Sequence, residues 1–260
     1  MSYESDIYAL NDIFEQGNRN NTLLQIPEYQ RNYKWGSEQV ERLIKNFLTS
    51  FHKIETNENK TSFLGSIIFC KSKGLRNFSN FDVVDGQQRL TTLTIFFIRI
   101  YSELKKYEKD FENDLEKCPQ WIKNEVKTLK DKLEDFIFLK HRTSGNILTK
   151  IPRLIRQFDT RTINHRDSTY RSLIANLINQ FRSSIDNNKP FNFNLNSHEG
   201  LEKQSIDQAS QKIKKLFEEI DNEQYYEELD CEFVSYKKLF NLNYLELLNS
   251  EEYLDIENLK

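Results

Sequence analysis

The sequence predicts an α+β protein in which a small α/β unit, residues 1–100, precedes a mainly helical region, residues 101–260. Runs rich in β-branched and aromatic residues, typical of strands, lie within the first 85 residues. From Leu90 onward, apolar residues recur at helical spacing over most of the chain. Only 7 Gly and 4 Pro occur in 260 residues, which favours long regular elements with few tight turns. The 19 Phe and 12 Tyr supply large rings for a core.

The elements of the α/β unit follow in chain order: a short helix at residues 6–17, extended chain at 21–35, a helix at 37–54, and strands at 61–70 and 80–84. The extended assignment rests on Pro27, because proline disfavours helical backbone angles at the residue before it. The helix at 37–54 rests on apolar side chains three and four residues apart. A further helix is predicted to begin just after Asp85 and Gly86.

Composition predicts a soluble cytoplasmic protein that does not enter a membrane. The three cysteines, Cys70, Cys118 and Cys231, are odd in number and far apart, which is typical of a reducing compartment. The longest apolar run, LTIFFIRIY at residues 93–101, contains Arg99 and is too short to span a bilayer. The first ten residues include acidic side chains and no apolar segment of the kind found in signal peptides.

Charge is distributed unevenly along the chain. The formal net charge is −3, but residues 140–190 hold ten Lys and Arg against three Asp and Glu, whereas residues 199–260 hold seven against sixteen. A basic stretch of this kind can follow a DNA backbone without reading bases. The predicted DNA-contacting residues are Arg153, Arg156, Arg161, Arg166 and Arg171. The alternative is that the basic stretch packs against the acidic end and the two neutralise each other.

The junction FDVVDGQQRLTTLTIFF, residues 81–97, places polar residues between a predicted strand and a predicted helix. A strand–glycine–helix junction presents free backbone N–H groups and the positive end of a helix dipole, and both attract phosphate. Arg89 could clamp a phosphate, and a glutamine could orient an attacking water. The alternative is a capping box, in which Asp85 caps the helix and Gln88 bonds back to it.

An aromatic block, residues 26–35, lies upstream of this junction. In an extended chain Tyr29, Arg31, Tyr33 and Trp35 would share one face, with Gln30, Asn32 and Lys34 on the other. Rings beside an arginine can stack a base or accept a modified sugar–phosphate backbone. Alternatively, the rings pack beneath the sheet and Arg31 pairs with Glu28 or Asp85.

Three motifs together resemble one family. DGQQRLTTL (85–93), IPEYQRNYKW (26–35) and FLGSIIF (63–69) occur in the order seen in the N-terminal domain of GmrSD-type modification-dependent restriction proteins. That domain carries the DGQQR motif, belongs to the ParB/sulfiredoxin-like superfamily and includes the SspE-like, phosphorothioate-sensing proteins. The resemblance covers roughly the first 100 residues and implies a ParB/sulfiredoxin-like nucleotide-binding unit.

The resemblance also implies residue roles. Asp85, Gly86, Gln87, Gln88 and Arg89 would line a nucleoside triphosphate, with Asp85 near Mg²⁺ or water, Arg89 on phosphate, and Gln30 and Arg31 beside the loop. Sulfiredoxin-like members have a cysteine in this loop where Gln87 and Gln88 stand here, so sulfinic-acid reduction is not expected. The predicted catalytic residues are Asp85, Gln87, Gln88 and Arg89, with Asp85 also a metal ligand. The predicted cofactor-binding residues are Gly86, Thr91, Thr92, Gln30, Arg31, Tyr29, Tyr33 and Trp35.

The functional prediction is a Mg²⁺-dependent nucleoside triphosphatase of a bacterial DNA restriction or anti-phage defence system. It is expected to act as a sensor that couples turnover to engagement of DNA, with modified DNA as one candidate. The alternative is a non-hydrolysing DNA-binding or regulatory module. The four histidines are scattered, with no His–Asn–His cluster, so this chain alone is not expected to cleave DNA. Cleavage is expected from a separate nuclease domain or nuclease subunit.

Overall fold

The computed structural model describes residues 22–55, 65–72, 78–113, 120–142, 148–165, 170–193, 195 and 200–220. Its strands are β1 (Thr22–Ile26), β2 (Ile68–Lys71), β3 (Ser79–Asp85), β4 (Phe138–Arg142), β5 (Leu148–Pro152) and β6 (Leu154–Arg156). Its α-helices are α1 (Ser37–Glu55), α2 (Gln87–Asn113), α3 (Gln120–Ile137), α4 (Thr160–His165), α5 (Leu173–Asp186) and α6 (Leu201–Ile220), with a 3₁₀ turn at Gln157–Asp159. The predicted helix at residues 6–17 lies outside these residues.

The main sheet has four strands in the order β2-β3-β1-β6. Strand β1 runs parallel to both β3 and β6, whereas β2 is antiparallel to β3. The carboxyl ends of β1, β3 and β6 therefore meet at one edge of the sheet, which is where ligands bind in open α/β sheets. Strands β4 and β5 form a separate antiparallel pair.

Neighbouring residues of β1 point to opposite sides of the main sheet, and an apolar cluster covers each side. Leu24 and Ile26 belong to a large cluster with the apolar residues of α2, α5 and α6, whereas Leu23 packs in a smaller cluster with Ile155 and Tyr170. Helix α2 is buried along most of its first four turns, and α6 packs against both α1 and α2. The site at the carboxyl edge is thus built on a rigid base.

The α+β class is confirmed, but the region beyond residue 100 contains three short strands that the sequence did not reveal. Strand β6 has only three residues, too few to show an alternating pattern, yet it completes the main sheet. The predicted boundary at residue 100 falls inside α2. The division into two units remains a prediction. None of the helices in the described ranges combines the length and apolarity that crossing a bilayer requires.

Candidate functional site

The site begins where β3 gives way to α2. Asp85 ends the strand, Gly86 has a φ of +90°, and the helix starts at Gln87. The Leu90 N–H donates to the Gly86 carbonyl at 3.0 Å, which is the first bond of the helical ladder. A Cβ atom at Gly86 would lie 2.9 Å from Cγ1 of Ile67. Both the backbone angle and the close approach therefore require glycine.

The capping-box alternative is wrong for Asp85 and Gln88. Gly86, not Asp85, occupies the capping position because its carbonyl accepts the first helical bond. The Gln88 amide points instead to the segment 30–34, where its Oε1 accepts from the Lys34 N–H at 2.8 Å and its Nε2 donates to the Asn32 carbonyl at 3.2 Å. The Gln88 side chain, which the local pattern assigned to the cap, therefore makes tertiary hydrogen bonds instead.

Gln87 binds the same segment. Its Nε2 donates to Oε1 of Gln30 at 3.1 Å and to the Arg31 carbonyl at 3.0 Å. Both motif glutamines are buried. The two amide groups thus hold the segment 30–34 against the start of α2, because each amide can bond backbone or side-chain groups of that segment.

Gln30 connects three elements. Its Nε2 donates to the Val84 carbonyl at 2.7 Å, its Oε1 accepts from Gln87, and its own carbonyl accepts from Nη2 of Arg156 at 2.6 Å. Its N–H donates to the Pro27 carbonyl at 3.1 Å and closes a turn. This turn corrects the prediction of one extended aromatic face, because it interrupts the alternation of side chains after Ile26.

The four residues of the predicted face consequently have different environments. Tyr29 is 75% exposed, whereas Tyr33 is 3% exposed and Trp35 packs partly against the main core. The Tyr33 hydroxyl lies 2.8 Å from Oγ1 of Thr92, and the Thr92 hydroxyl donates to the Gln88 carbonyl at 2.9 Å. Since a threonine has one hydroxyl proton, Tyr33 is the donor in its bond with Thr92. Burial raises the pKa of Tyr33 to about 12, with the Thr92 bond acting in the opposite direction.

Thr91 and Thr92 are both buried on α2. The Thr92 hydroxyl is engaged on both sides, by Tyr33 and by the helix backbone, so its contacts explain packing rather than ligand binding. The predicted cofactor role of the two threonines has no direct support in these contacts. The same reasoning applies to Tyr33, whose hydroxyl points inward.

Three charged residues of the two motifs were predicted to act at the site: Asp85, Arg31 and Arg89. The side chains of Asp85 and Arg31 are exposed, and neither forms an ion pair with another residue of the described segments. Arg89 is half-buried, and its Nη1 donates to the Ser66 carbonyl. A Cβ atom at Gly65, where φ is +92°, would lie 3.0 Å from the Arg89 guanidinium. Glycine at 65 thus leaves room for the arginine.

The predicted DNA-contacting arginines do not form one surface. Arg153 is 1% exposed, and its guanidinium donates to the carbonyls of Thr22 and Phe138 at 3.0 and 3.2 Å. Burial lowers the pKa of Arg153 to about 10. Arg156 is 6% exposed and lies beneath Gln30. These two assignments are corrected, because a buried guanidinium bound to backbone carbonyls cannot follow a DNA backbone.

Arg171 is exposed at the start of the segment that leads into α5. Its N–H donates to Oδ1 of the buried Asp159 at 2.8 Å, which fixes the approach to α5. The Arg161 side chain and all of Arg166 lie outside the described part of the structure. A DNA role for Arg171, Arg161 and Arg166 remains a prediction.

Two contacts at the site were not foreseen. The Tyr33 N–H donates to Oε1 of Glu202 at 3.2 Å, which ties the aromatic block to the first turn of α6, and Arg156 reaches Gln30 from β6. Nζ of Lys212 also lies 2.7 Å from Glu41, so α6 is linked to α1. No local pattern could signal these contacts, since they join residues more than 120 positions apart.

Comparison with known proteins adds a finding that is independent of this geometry. The family model described as the GmrSD restriction endonuclease, N-terminal domain, matches residues 10–258. No curated protein matches the chain. The match extends far beyond the first 100 residues that carry the recognisable motifs.

Proposed function

The chain belongs to the GmrSD restriction endonuclease N-terminal domain family and is thus a component of a DNA restriction system; we propose that it is the nucleotide-binding and nucleotide-hydrolysing sensor of that system. The observation that carries the proposal is the junction at Asp85–Arg89. It combines a glycine in the left-handed region, a helix N-terminus and exposed charged groups at the carboxyl edge of three parallel strands.

The proposed roles follow from what each residue leaves accessible. The first turn of α2 has N–H groups outside the helical ladder, which can donate to phosphate oxygens. Arg89 and Arg31 present guanidinium groups beside this turn, and guanidinium binds phosphate in a bidentate manner. Asp85 is an exposed carboxylate at the end of β3. The two guanidinium groups and the helix N-terminus complement the negative charge of a nucleoside triphosphate, and Asp85 could contact it through Mg²⁺.

Mg²⁺ fits the same residues. No group of three or more His, Cys, Asp or Glu side chains able to hold a metal comes together among the described residues. Mg²⁺ usually takes one or two carboxylates and completes its shell with waters and substrate phosphates, so Asp85 alone is a sufficient protein ligand. When bound, the ion would supply neutralisation of phosphate charge.

One observation favours the second candidate, a non-hydrolysing regulatory module. The amide groups of Gln87 and Gln88 make four hydrogen bonds with residues 30–34. A glutamine that orients water must leave part of its amide available to that water. In this arrangement the Gln88 amide is engaged at both ends, and the motif serves the fold.

Turnover separates the two candidates. The purified protein is incubated with Mg²⁺ and each of four nucleoside triphosphates, with and without DNA, and released phosphate is measured. We expect release that is lost in Asp85→Ala and Arg89→Ala but retained in Arg42→Ala, which removes an exposed arginine from α1. Circular dichroism checks that each variant is folded.

Other outcomes are equally informative. Nucleotide binding without phosphate release in any condition would establish the regulatory module and end the hydrolase proposal. Equal release from the wild type and from both site variants would place hydrolysis away from the DGQQR junction. DNA and a nuclease are the partners that the family implies, and a nuclease subunit added to the reaction tests whether turnover depends on it.

A further inference from the structure

Arg156 lies at the carboxyl edge of the main sheet, although the basic stretch around it suggested a DNA contact. In the parallel pairing of β1 and β6, Arg156 is the partner of Ile26, so the last residues of the two strands lie side by side. The turn at residues 27–30 begins immediately after Ile26. The Arg156 side chain thus starts at the carboxyl edge, next to the turn that meets the DGQQR junction.

Two consecutive residues of this segment bind the turn. Nη2 of Arg156 donates to the Gln30 carbonyl at 2.6 Å, and Oε1 of Gln157 accepts from the Glu28 N–H at 3.4 Å. The first bond is the short, charge-assisted kind, which is stronger than a bond between neutral groups. Gln30 passes the restraint on, because its amide contacts both Val84 and Gln87.

Arg156 is a charged side chain that is buried at this edge. The residue is 6% exposed, and its Nε is buried with no hydrogen-bond partner among the residues that the structure describes. The centroid of the Phe158 ring lies 5.8 Å from the guanidinium carbon, within the range of a cation–π attraction. An apolar side chain would fill this space without a desolvation penalty, so packing alone does not account for an arginine.

We propose that Arg156 is a positioning residue of the nucleotide site, holding the Gln30 carbonyl so that the Gln30–Gln87 pair stays in place beside the start of α2. The inference rests on the proposed nucleotide-binding function. It also assigns the positive charge of Arg156 to the carboxyl edge, where it favours an anionic ligand.

The test measures the exposure of the segment after the turn and the affinity for the ligand in separate experiments. The chain has 2 Trp, so Trp121→Phe leaves Trp35 as the single fluorescent tryptophan, five residues from Gln30. In this background Arg156→Met and Arg156→Lys are compared with Arg42→Met, which removes the same charge from an exposed position on α1. Acrylamide quenching of Trp35, affinity for a non-hydrolysable nucleoside triphosphate analogue, and the salt dependence of DNA binding are measured.

We expect Arg156→Met to remain folded, to quench more readily at Trp35, and to bind the analogue about tenfold more weakly, since it loses a bond to a charged donor. Arg156→Lys keeps the charge and one donor and should recover part of the affinity; it also maintains the test should the methionine variant not fold. Arg42→Met should behave as the parent.

Two results would overturn the proposal. If Arg156→Met has the same analogue affinity and the same Trp35 quenching as the parent protein, Arg156 does not position the site. A salt slope for DNA binding reduced by about one phosphate contact in Arg156→Met, with analogue affinity unchanged, would return the residue to a DNA role. Failure of the parent protein to bind any nucleotide would instead refute the proposed function, and Trp35 quenching alone would then decide whether Arg156 holds the turn.

Discussion

Gly86→Ala tests whether the DGQQR junction depends on close packing as well as on backbone conformation. Three glycines in the described segments have positive φ, at 92° for Gly65, 90° for Gly86 and 115° for Gly200. A Cβ atom at Gly86 would meet Cγ1 and Cγ2 of Ile67 at 2.9 and 3.0 Å, whereas at Gly200 it would meet nothing within 4 Å. Gly200→Ala is thus a control for conformation alone.

The expected magnitudes follow from these two contributions. Placing alanine in the left-handed region costs about 1–2 kcal/mol, which both variants share. Overpacking against Ile67 adds about 1–3 kcal/mol, which applies only to Gly86→Ala because this branched side chain is half-buried and packs on the core. Gly86→Ala should therefore lose about 2–5 kcal/mol of unfolding free energy in total.

Urea denaturation followed by circular dichroism measures both losses, and the difference between the variants isolates the Ile67 contact. Equal losses for Gly86→Ala and Gly200→Ala would refute the packing argument, because both would then report only the backbone angle. Gly65→Ala extends the test to the charged part of the site. Its Cβ atom would displace the Arg89 guanidinium, so we expect loss of nucleotide affinity beyond what its stability predicts.

Three further predictions concern the aromatic block and the arginines. Gln88→Ala leaves the Lys34 N–H without its acceptor and should lower the unfolding free energy by about 1–3 kcal/mol in urea; no change would mean that water replaces the amide. The pKa of Tyr33 rises from 10.0 to about 12 on folding. The contribution of this shift to the unfolding free energy is therefore complete below pH 10 and disappears as the pH rises through 12. Between those two pH values the unfolding free energy of Tyr33→Phe should accordingly fall by about 2–3 kcal/mol less than that of the wild type. Parallel profiles of unfolding free energy against pH would contradict this. Arg171→Glu should weaken DNA binding and reduce its salt slope by about one, relative to Arg42→Glu, whereas an unchanged slope would remove Arg171 from the DNA surface.

The strand–glycine–helix junction could be predicted because its signals are local. An apolar strand before Asp85, a glycine at 86 and an apolar helical run after it are all visible within about fifteen residues. The roles of the glutamines could not be predicted, because capping and tertiary bonding use the same amide. The capping pattern was present at Asp85 and Gln88, but the free N–H and carbonyl groups of residues 32–34 provided the partners that Gln88 binds.

The arginines show the converse limit. Arg153 and Arg156 lie in a basic stretch, and basic stretches are usually solvated. Here the three-residue strand β6 pairs with β1; Arg156 is its last residue and Arg153 immediately precedes it. Both side chains are thereby buried, where they donate hydrogen bonds to backbone carbonyls. Such burial depends on pairing between residues about 130 positions apart, which neither charge nor periodicity reveals.

The bonds of the motif glutamines bear directly on how a nucleotide could act through this site. Gln87 and Gln88 hold residues 30–34 through four hydrogen bonds, so a ligand that recruits either amide must compete with that segment. Binding and release of the segment are then linked equilibria, and linkage requires that each affect the other by the same free energy. The segment carries the exposed Arg31 and adjoins the exposed Tyr29. Under the proposed function, a second ligand that contacts the exposed Tyr29 and favours one position of the segment would thereby change nucleotide affinity. Under the proposed function, these four hydrogen bonds would link nucleotide binding to the position of residues 30–34.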